Sequence, residues 1–183
     1  MADFAGRVIG AAQADVKTFE EIEADPAAMT QAITLIVIAG VSSLLGNFFR
    51  SGLIPGVFGL VQMVLGYALF SLFVFLIGTK MMPEPATKAD FNETFRTVGF
   101  AAAPGVLGIL AIIPFLGYLI SLVIFLWSLV IGVIAVRAVL DYSNTGRAIV
   151  VCLLAFLACA IVWLVVVAPI LTILFIARAA TGG

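Results

Sequence analysis

Long uninterrupted apolar blocks, separated by short polar stretches, dominate this chain. No charge occurs between Asp25 and Arg50, and the block PAAMTQAITLIVIAGVSSLLGNFF predicts a first spanning helix over 27–49. About 20 apolar residues suffice to cross the hydrocarbon core of a bilayer. Ser51 to Thr79 is again uncharged, and after the loop-like SGLIPG it predicts a second span over 55–79. The uncharged run from Thr97 to Val136 covers 40 residues, room for two crossings. Within it, Pro114-Phe115-Leu116-Gly117 places proline and glycine where a tight helix–helix turn belongs. Spans three and four therefore fall at 97–113 and 118–137, joined by almost no loop. Ala148 to Ala177 predicts a fifth span over 148–177, kinked or ended by Pro169. Pro104, followed by Gly105 and Gly108, predicts a bend in span three.

The polar stretches have periodicity of their own. Phe4, Val8, Ala12, Val16, Phe19 and Ile22 recur at helical spacing, so residues 1–25 read as a short amphipathic helix, with Asp15 and Glu23 intruding on its stripe. This segment carries six acids against two bases. An anionic lipid surface would repel it, so its own apolar face or a protein must hold it. In ADFNETFR, Asp90 is placed as an N-cap, Glu93 closes the capping box, and Phe91 and Phe95 share one face.

Composition turns these blocks into a class. Hydrophobic residues make up 64% and charged residues 10% of the 183 positions, too little charge to cover a soluble surface. The expected fold is an all-α integral membrane protein, five transmembrane helices over 26–183 plus the N-terminal segment over 1–25. No basic stretch precedes a short apolar core in MADFAGRVIG, so no cleavable signal is visible and insertion is expected to rely on the first span. Charge then predicts orientation. Arg7, Lys17, Lys80, Lys88, Arg96, Arg137 and Arg147 fall on one side of the five spans, and only Arg50 and Arg178 on the other. The positive-inside bias places the N-terminus in the cytosol and the C-terminus outside, in a cell inner membrane. All ten acids also fall on the cytosolic side, where a soluble partner could meet them.

Candidate chemistry is sparse. The chain has no His, which removes the commonest general base and metal ligand. Cys152 and Cys159 stand seven residues apart on one helix, about 10 Å, too far for a disulfide. No charge lies at the middle of a span, which argues against an ion-coupled carrier. Gln62, Ser71 and Ser128 are the polar side chains at depth and read as helix–helix hydrogen-bonding groups. Gly40, Gly46, Gly59, Gly66, Gly105, Gly108 and Gly132 read as points of close helix packing within the chain. Arg137 and Asp141 are spaced to pair along one helix face, and Arg96 and Asp90 are expected to converge with them at the membrane surface. With Glu20, Glu21 and Glu23 these form the candidate cytosolic interaction face. No nucleophile–base pair, metal cluster, phosphate loop or nucleic-acid stripe is visible, so no cofactor and no enzymatic role is expected.

The stretch FNETFRTVGFAAAPGVLGILAIIPFLGYLISLVIFLWSLVIGVIAVRAVL resembles the Yip family of five-span membrane proteins (Ypt-interacting proteins). The shared features are the aromatic-flanked Arg96, Gly99, the mid-span Pro104, the short Pro–Gly turn and Trp127 in the next span. The likeness runs from about Phe19 onward. Five spans and a cytosolic N-terminus are what it implies for the fold. Eukaryotic members bind Rab-type GTPases through a long cytosolic N-terminal region. Here that region is about 25 residues and acidic, similar to the small bacterial branch, so the fold carries over and the GTPase partner does not. The expected role is a non-enzymatic membrane scaffold or accessory subunit. It would contact lipid and other integral membrane proteins, or further copies of itself, and dock partners on its cytosolic face. The alternative is a small transporter or lipid-handling channel built around span three.

Overall fold

In the computed structural model, which describes residues 3–113, 115–167 and 169, the described residues are mostly helical and contain no strand. Among the described residues, five helices are long and apolar enough to cross a membrane. They are α3 (Ala28–Ser51), α4 (Leu53–Leu76, continued by a π turn over Ile77–Met81), α5 (Phe91–Gly99, continued by a 3₁₀ segment over Phe100–Ile112), α6 (Gly117–Val139) and α7 (Thr145–Val162, with a π turn over Trp163–Val167). The first, second and fourth of these helices begin and end within a few residues of the positions that hydropathy sets, the predicted end of the fifth lies outside the described residues, and span three starts earlier. There the amphipathic turn over ADFNETFR runs straight into it, nucleated by the expected box: Glu93 N–H donates to Asp90 Oδ1 (2.8 Å) and Asp90 N–H donates to Glu93 Oε2 (2.9 Å). Pro114, Arg178 and the last third of the fifth predicted span, residues 168 and 170–177, lie outside the described residues, and the kink or end expected at Pro169 falls there too. Ile113, which precedes Pro114, has left the helix for extended backbone (ψ 119°), as the proline ring demands of its neighbour.

Span three is the centre of the bundle. It is the most buried of the five and packs chiefly against α3 and α6. Where Pro104 predicts a bend, the helix changes winding. The 3₁₀ segment begins at Phe100, the residue whose carbonyl the Pro104 ring would strike in an α-helix. Tighter winding also lengthens the helix. Residues 97–113 would reach about 25 Å as α-helix, but at a rise of roughly 2.0 Å the 3₁₀ portion brings the span close to the 30 Å or so of a hydrocarbon core.

A 3₁₀ helix has three residues per turn, so positions three apart eclipse. Gly99, Ala102, Gly105, Gly108 and Ala111 have that spacing, and they form the seam against α3. A Cβ on Gly105 would sit 2.8 Å from the Ala39 Cβ, and one on Gly46 only 2.0 Å from the Gly108 carbonyl oxygen. Small residues let the backbones touch, which is how helices associate in lipid. Gly59 and Gly66 have nothing within 4 Å of such a Cβ, so the close packing expected there is not made.

The N-terminal segment is helical and amphipathic, and it is folded back on itself. α1 (Phe4–Ala12) and α2 (Val16–Ala24) are antiparallel. Ala14 adopts φ 59°, Ala14 N–H donates to the Ala11 carbonyl and Asp15 N–H to the Gly10 carbonyl, the pair of bonds that ends a helix in a left-handed turn. Asp15 then caps α2, accepting from Lys17 N–H (3.3 Å) and from the Thr18 hydroxyl (2.8 Å). Its intrusion on the apolar stripe is thereby explained. The two helices close tightly because residue 10 is glycine: a Cβ there would lie 2.2 Å from Thr18 Oγ1. The hairpin stands beside spans three and four, α1 against the 3₁₀ segment and α2 against α5 and α6. Ala11, Phe19 and Ile22 enter the same core as Leu35, Ile36, Phe100 and Ile131.

Candidate functional site

Polar chemistry gathers at one end of the bundle, where the hairpin opens and the loops after α4 and α6 meet. Arg7 is its most buried charged side chain among the described residues, 1% exposed. Its Nη2 donates to Glu21 Oε1 (2.9 Å) and Asp25 Oδ2 (2.7 Å), and its Nη1 to Gln31 Oε1 (3.0 Å). One guanidinium thus ties α1, α2 and the start of α3 together. Burial works against its charge, but the bonds to Glu21 and Asp25 outweigh this and raise its pKa, while the Arg7 bond holds the Asp25 carboxyl below its usual range.

Arg96 is also buried. Its Nε donates to the carbonyls of Ile22 (3.2 Å) and Glu23 (2.9 Å), and its Nη2 also reaches Glu23 O. These carbonyls belong to the last turn of α2, so the cation satisfies orphan acceptors at the negative end of a helix dipole. Glu93 stands 3.7 Å from the same guanidinium. For the Glu23 carboxyl, the nearby Arg96 charge offsets only part of what opposes ionisation. Burial, then the negative charges of Asp141 and Glu93, push its pKa up to about 7.

Arg137 and Asp141 do not pair along a helix face. Asp141 has φ 52° and lies beyond the end of α6. Asp141 N–H donates to Ala138 O and Tyr142 N–H to Arg137 O, a second left-handed helix stop that turns the carboxylate off the helix surface. Arg137 instead donates to the carbonyls of Tyr142 (3.2 Å) and Ser143 (3.3 Å) and to Thr145 Oγ1 (3.1 Å). The loop from α4 is fastened to the same corner. Glu84 accepts from Ser143 N–H (3.1 Å) and faces Arg147 at 3.3 Å; the backbone donor and the arginine hold its carboxyl low. The Tyr142 hydroxyl shares its hydrogen between Met82 O (2.7 Å) and Gly78 O (3.2 Å), and Thr87 Oγ1 donates to Leu140 O (2.7 Å).

Of the seven residues that sequence reasoning singled out, Glu23, Asp90, Arg96 and Asp141 come to this end around the head of α5. Glu21 is engaged with Arg7, Arg137 closes its own loop, and Glu20 is exposed on the outer edge of α2. Arg7, the organising residue, was not among them. Gln62, Ser71 and Ser128 make no helix–helix hydrogen bond among the described residues: Gln62 is exposed, and the buried Ser71 hydroxyl has no partner. Ser128 lines a cavity of about 250 Å³ in the other half of the bundle, with Ser43, Asn47, Tyr67, Ser121 and Gly105. A second crevice of about 210 Å³ between α3 and α4 shares Ser43, Asn47 and Met63.

Among known proteins, the family model of the Yip1 domain matches residues 13–177. No curated protein and no solved structure matches the chain.

Proposed function

This chain belongs to the Yip1 domain family, and from that premise we propose a non-enzymatic membrane scaffold that docks a partner on its cytosolic face. The polar end faces the cytosol in this reading, with the N-terminus inside and the C-terminus outside, in the direction set by the basic residues. The observation that carries it is Glu23. Its pKa is raised to about 7 by burial and by the charges of Asp141 and Glu93, while the Arg96 guanidinium beside it donates to backbone carbonyls and stands 3.7 Å from Glu93. The packing that fixes Arg7 and Arg96 keeps these acids together. A basic segment of a partner would relieve their repulsion, and charge complementarity of this kind steers and selects partners. The docked protein is therefore expected to present lysine or arginine. The test is purification in mild detergent of the natural chain and of a Glu23→Gln, Asp141→Asn variant. A basic partner retained by the first, released by salt and lost from the second supports the reading. Equal retention by both would overturn it.

A second reading, a small transporter or lipid-handling protein, draws on the cavity beside span three. Ser43, Asn47, Ser121 and Ser128 offer hydrogen bonds at membrane depth, which suits a small amphipathic ligand. Reproducible uptake of a solute or lipid analogue by reconstituted vesicles, abolished by Asn47→Leu, would favour it over docking.

A further inference from the structure

The indole Nε1 of Trp127 donates to the Ala12 carbonyl at the tip of the N-terminal hairpin, at 2.9 Å. Trp127 lies ten residues before Arg137 on α6, about 15 Å along the helix axis. Along α2, Asp15 lies about 12 Å beyond Glu23, whose carbonyl Arg96 holds at the polar end. Both measures carry the hairpin tip to roughly the middle of a 30 Å hydrocarbon core. Packing agrees: Ala11, Ala12 and Ala14 join the core of Phe100–Ala103, Ile131 and Ala135, one to two turns inside the spans.

One edge of the hairpin is covered by those spans. The opposite edge is open, with Ile9 57% and Val16 48% exposed and with Gln13, Lys17 and Glu20 exposed beside them. Among the described residues neither Lys17 nor Glu20 forms an ion pair, whereas the exposed Asp15 at the tip is satisfied by Lys17 N–H and the Thr18 hydroxyl. By the same rise Lys17 lies about 9 Å and Glu20 about 4.5 Å from Glu23, inside the polar end. Charges within the core are costly when they face lipid and are regularly found against protein. We propose that the α1–α2 hairpin is inserted into the bilayer and that its Lys17–Glu20 edge is covered by the same edge of a second copy of this chain. Lys17 and Glu20 are one turn apart on one face of α2 and opposite in sign, so the edge is complementary to itself. A two-fold axis sets each Lys17 against the other copy's Glu20, with Ile9 and Val16 closing around them. Glu20 also borders the acidic end, where its charge helps to raise Glu23, but the docking reading rests on Glu23 and Asp141, so failure of the pairing would leave it standing.

The experiment uses the full chain, one fluorophore per molecule, at low density in phosphatidylcholine vesicles. The natural chain is expected to bleach mostly in two steps. Lys17→Glu places acids against acids and should reduce two-step events several-fold, to chance co-occupancy, and Lys17→Glu with Glu20→Lys should restore them. Single-step bleaching of the natural chain, or two-step bleaching untouched by Lys17→Glu, overturns the pairing. Failure of the exchanged pair to recover does so too. Depth is read separately on Gln13→Cys in a Cys152→Ala, Cys159→Ala background: a probe there should be quenched by lipid bromine near the chain ends, and quenching by headgroup nitroxide alone would place the hairpin at the surface and overturn its insertion.

Discussion

Arg7 and Asp25 lie 2.7 Å apart, the cation almost wholly out of solvent and the anion partly in it. The asymmetry decides which substitution hurts. Removing the arginine leaves Glu21 and Asp25 with access to water, whereas removing Asp25 leaves a buried cation short of a counter-charge. Breaking a fully buried pair costs about 3–5 kcal/mol, and the partial exposure of both acids lowers this. Asp25→Ala is expected to lower the midpoint of chemical unfolding in detergent by more than Arg7→Ala does. Lys88→Ala, at an exposed loop position, should stay within about 0.5 kcal/mol.

Glu23 gives the protein a pH dependence of unusual sign. Its folded pKa is raised to about 7 from the ordinary 4.5, so the folded state binds the proton more tightly than the unfolded state does. The stability contributed by protonated Glu23 is full below about pH 4.5 and is lost as pH rises toward 7. Asp25, whose pKa is lowered, acts in the opposite sense and only in more acid solution. Thermal unfolding from pH 5 to 8 should show the natural chain losing stability relative to Glu23→Gln. Asp141→Asn, by removing one of the charges that raise Glu23, should move the transition to lower pH. Parallel profiles for the natural chain and Glu23→Gln would refute the account.

The seam between spans one and three predicts a contrast among glycines. Gly105→Leu drives a side chain into Ala39 and should destabilise by about 1–3 kcal/mol through overpacking. Gly46→Ala meets the Gly108 carbonyl and should separate the helices in spite of its single added carbon. Gly66→Ala meets nothing within 4 Å and should be neutral or slightly stabilising. Unfolding midpoints in one detergent compare all three, and equal values for Gly46→Ala and Gly66→Ala would contradict the seam.

Hydropathy made the five spans legible because a bilayer imposes one simple rule on length and polarity. The capping box at Asp90 was legible for a similar reason, since its bonds are local in sequence. The hairpin at Ala14 was not, because the left-handed stop that ends α1 uses alanine in place of the usual glycine, and the apolar stripe continues across it. Asp141 misled in the same way: spacing from Arg137 supposes a helix that has already ended. The three-residue period of Gly99, Ala102, Gly105, Gly108 and Ala111 was present in the sequence but reads as generic small-residue packing until the helix is known to be 3₁₀. Arg7 could not be found from spacing at all. Its three partners come from two other helices, and only the fold brings them together.

The cavity beside span three also predicts what the protein does not pass. Its lining groups, Ser43, Asn47, Ser121 and Ser128, sit toward one end of α3 and α6. Between them and the polar end the same helices are filled by Leu35, Ile36, Phe100, Ile131 and Ala135, none more than 1% exposed. A packed interior of this kind has no gap wide enough for a hydrated solute, so the cavity is blind on that side. Charged groups that could draw an ion inward are absent from its lining, and no coupling site of the kind that marks pumps lies there. Vesicles holding the purified chain should therefore admit sodium, protons and small sugars no faster than empty ones. Phe100→Ala removes the largest plug at a cost of about 3–5 kcal/mol in stability, and it should raise leakage only if the cavity then connects to the polar end. Rapid, saturable uptake by the natural chain would show that these side chains move aside in the membrane, and would transfer the functional weight from the acidic end to span three.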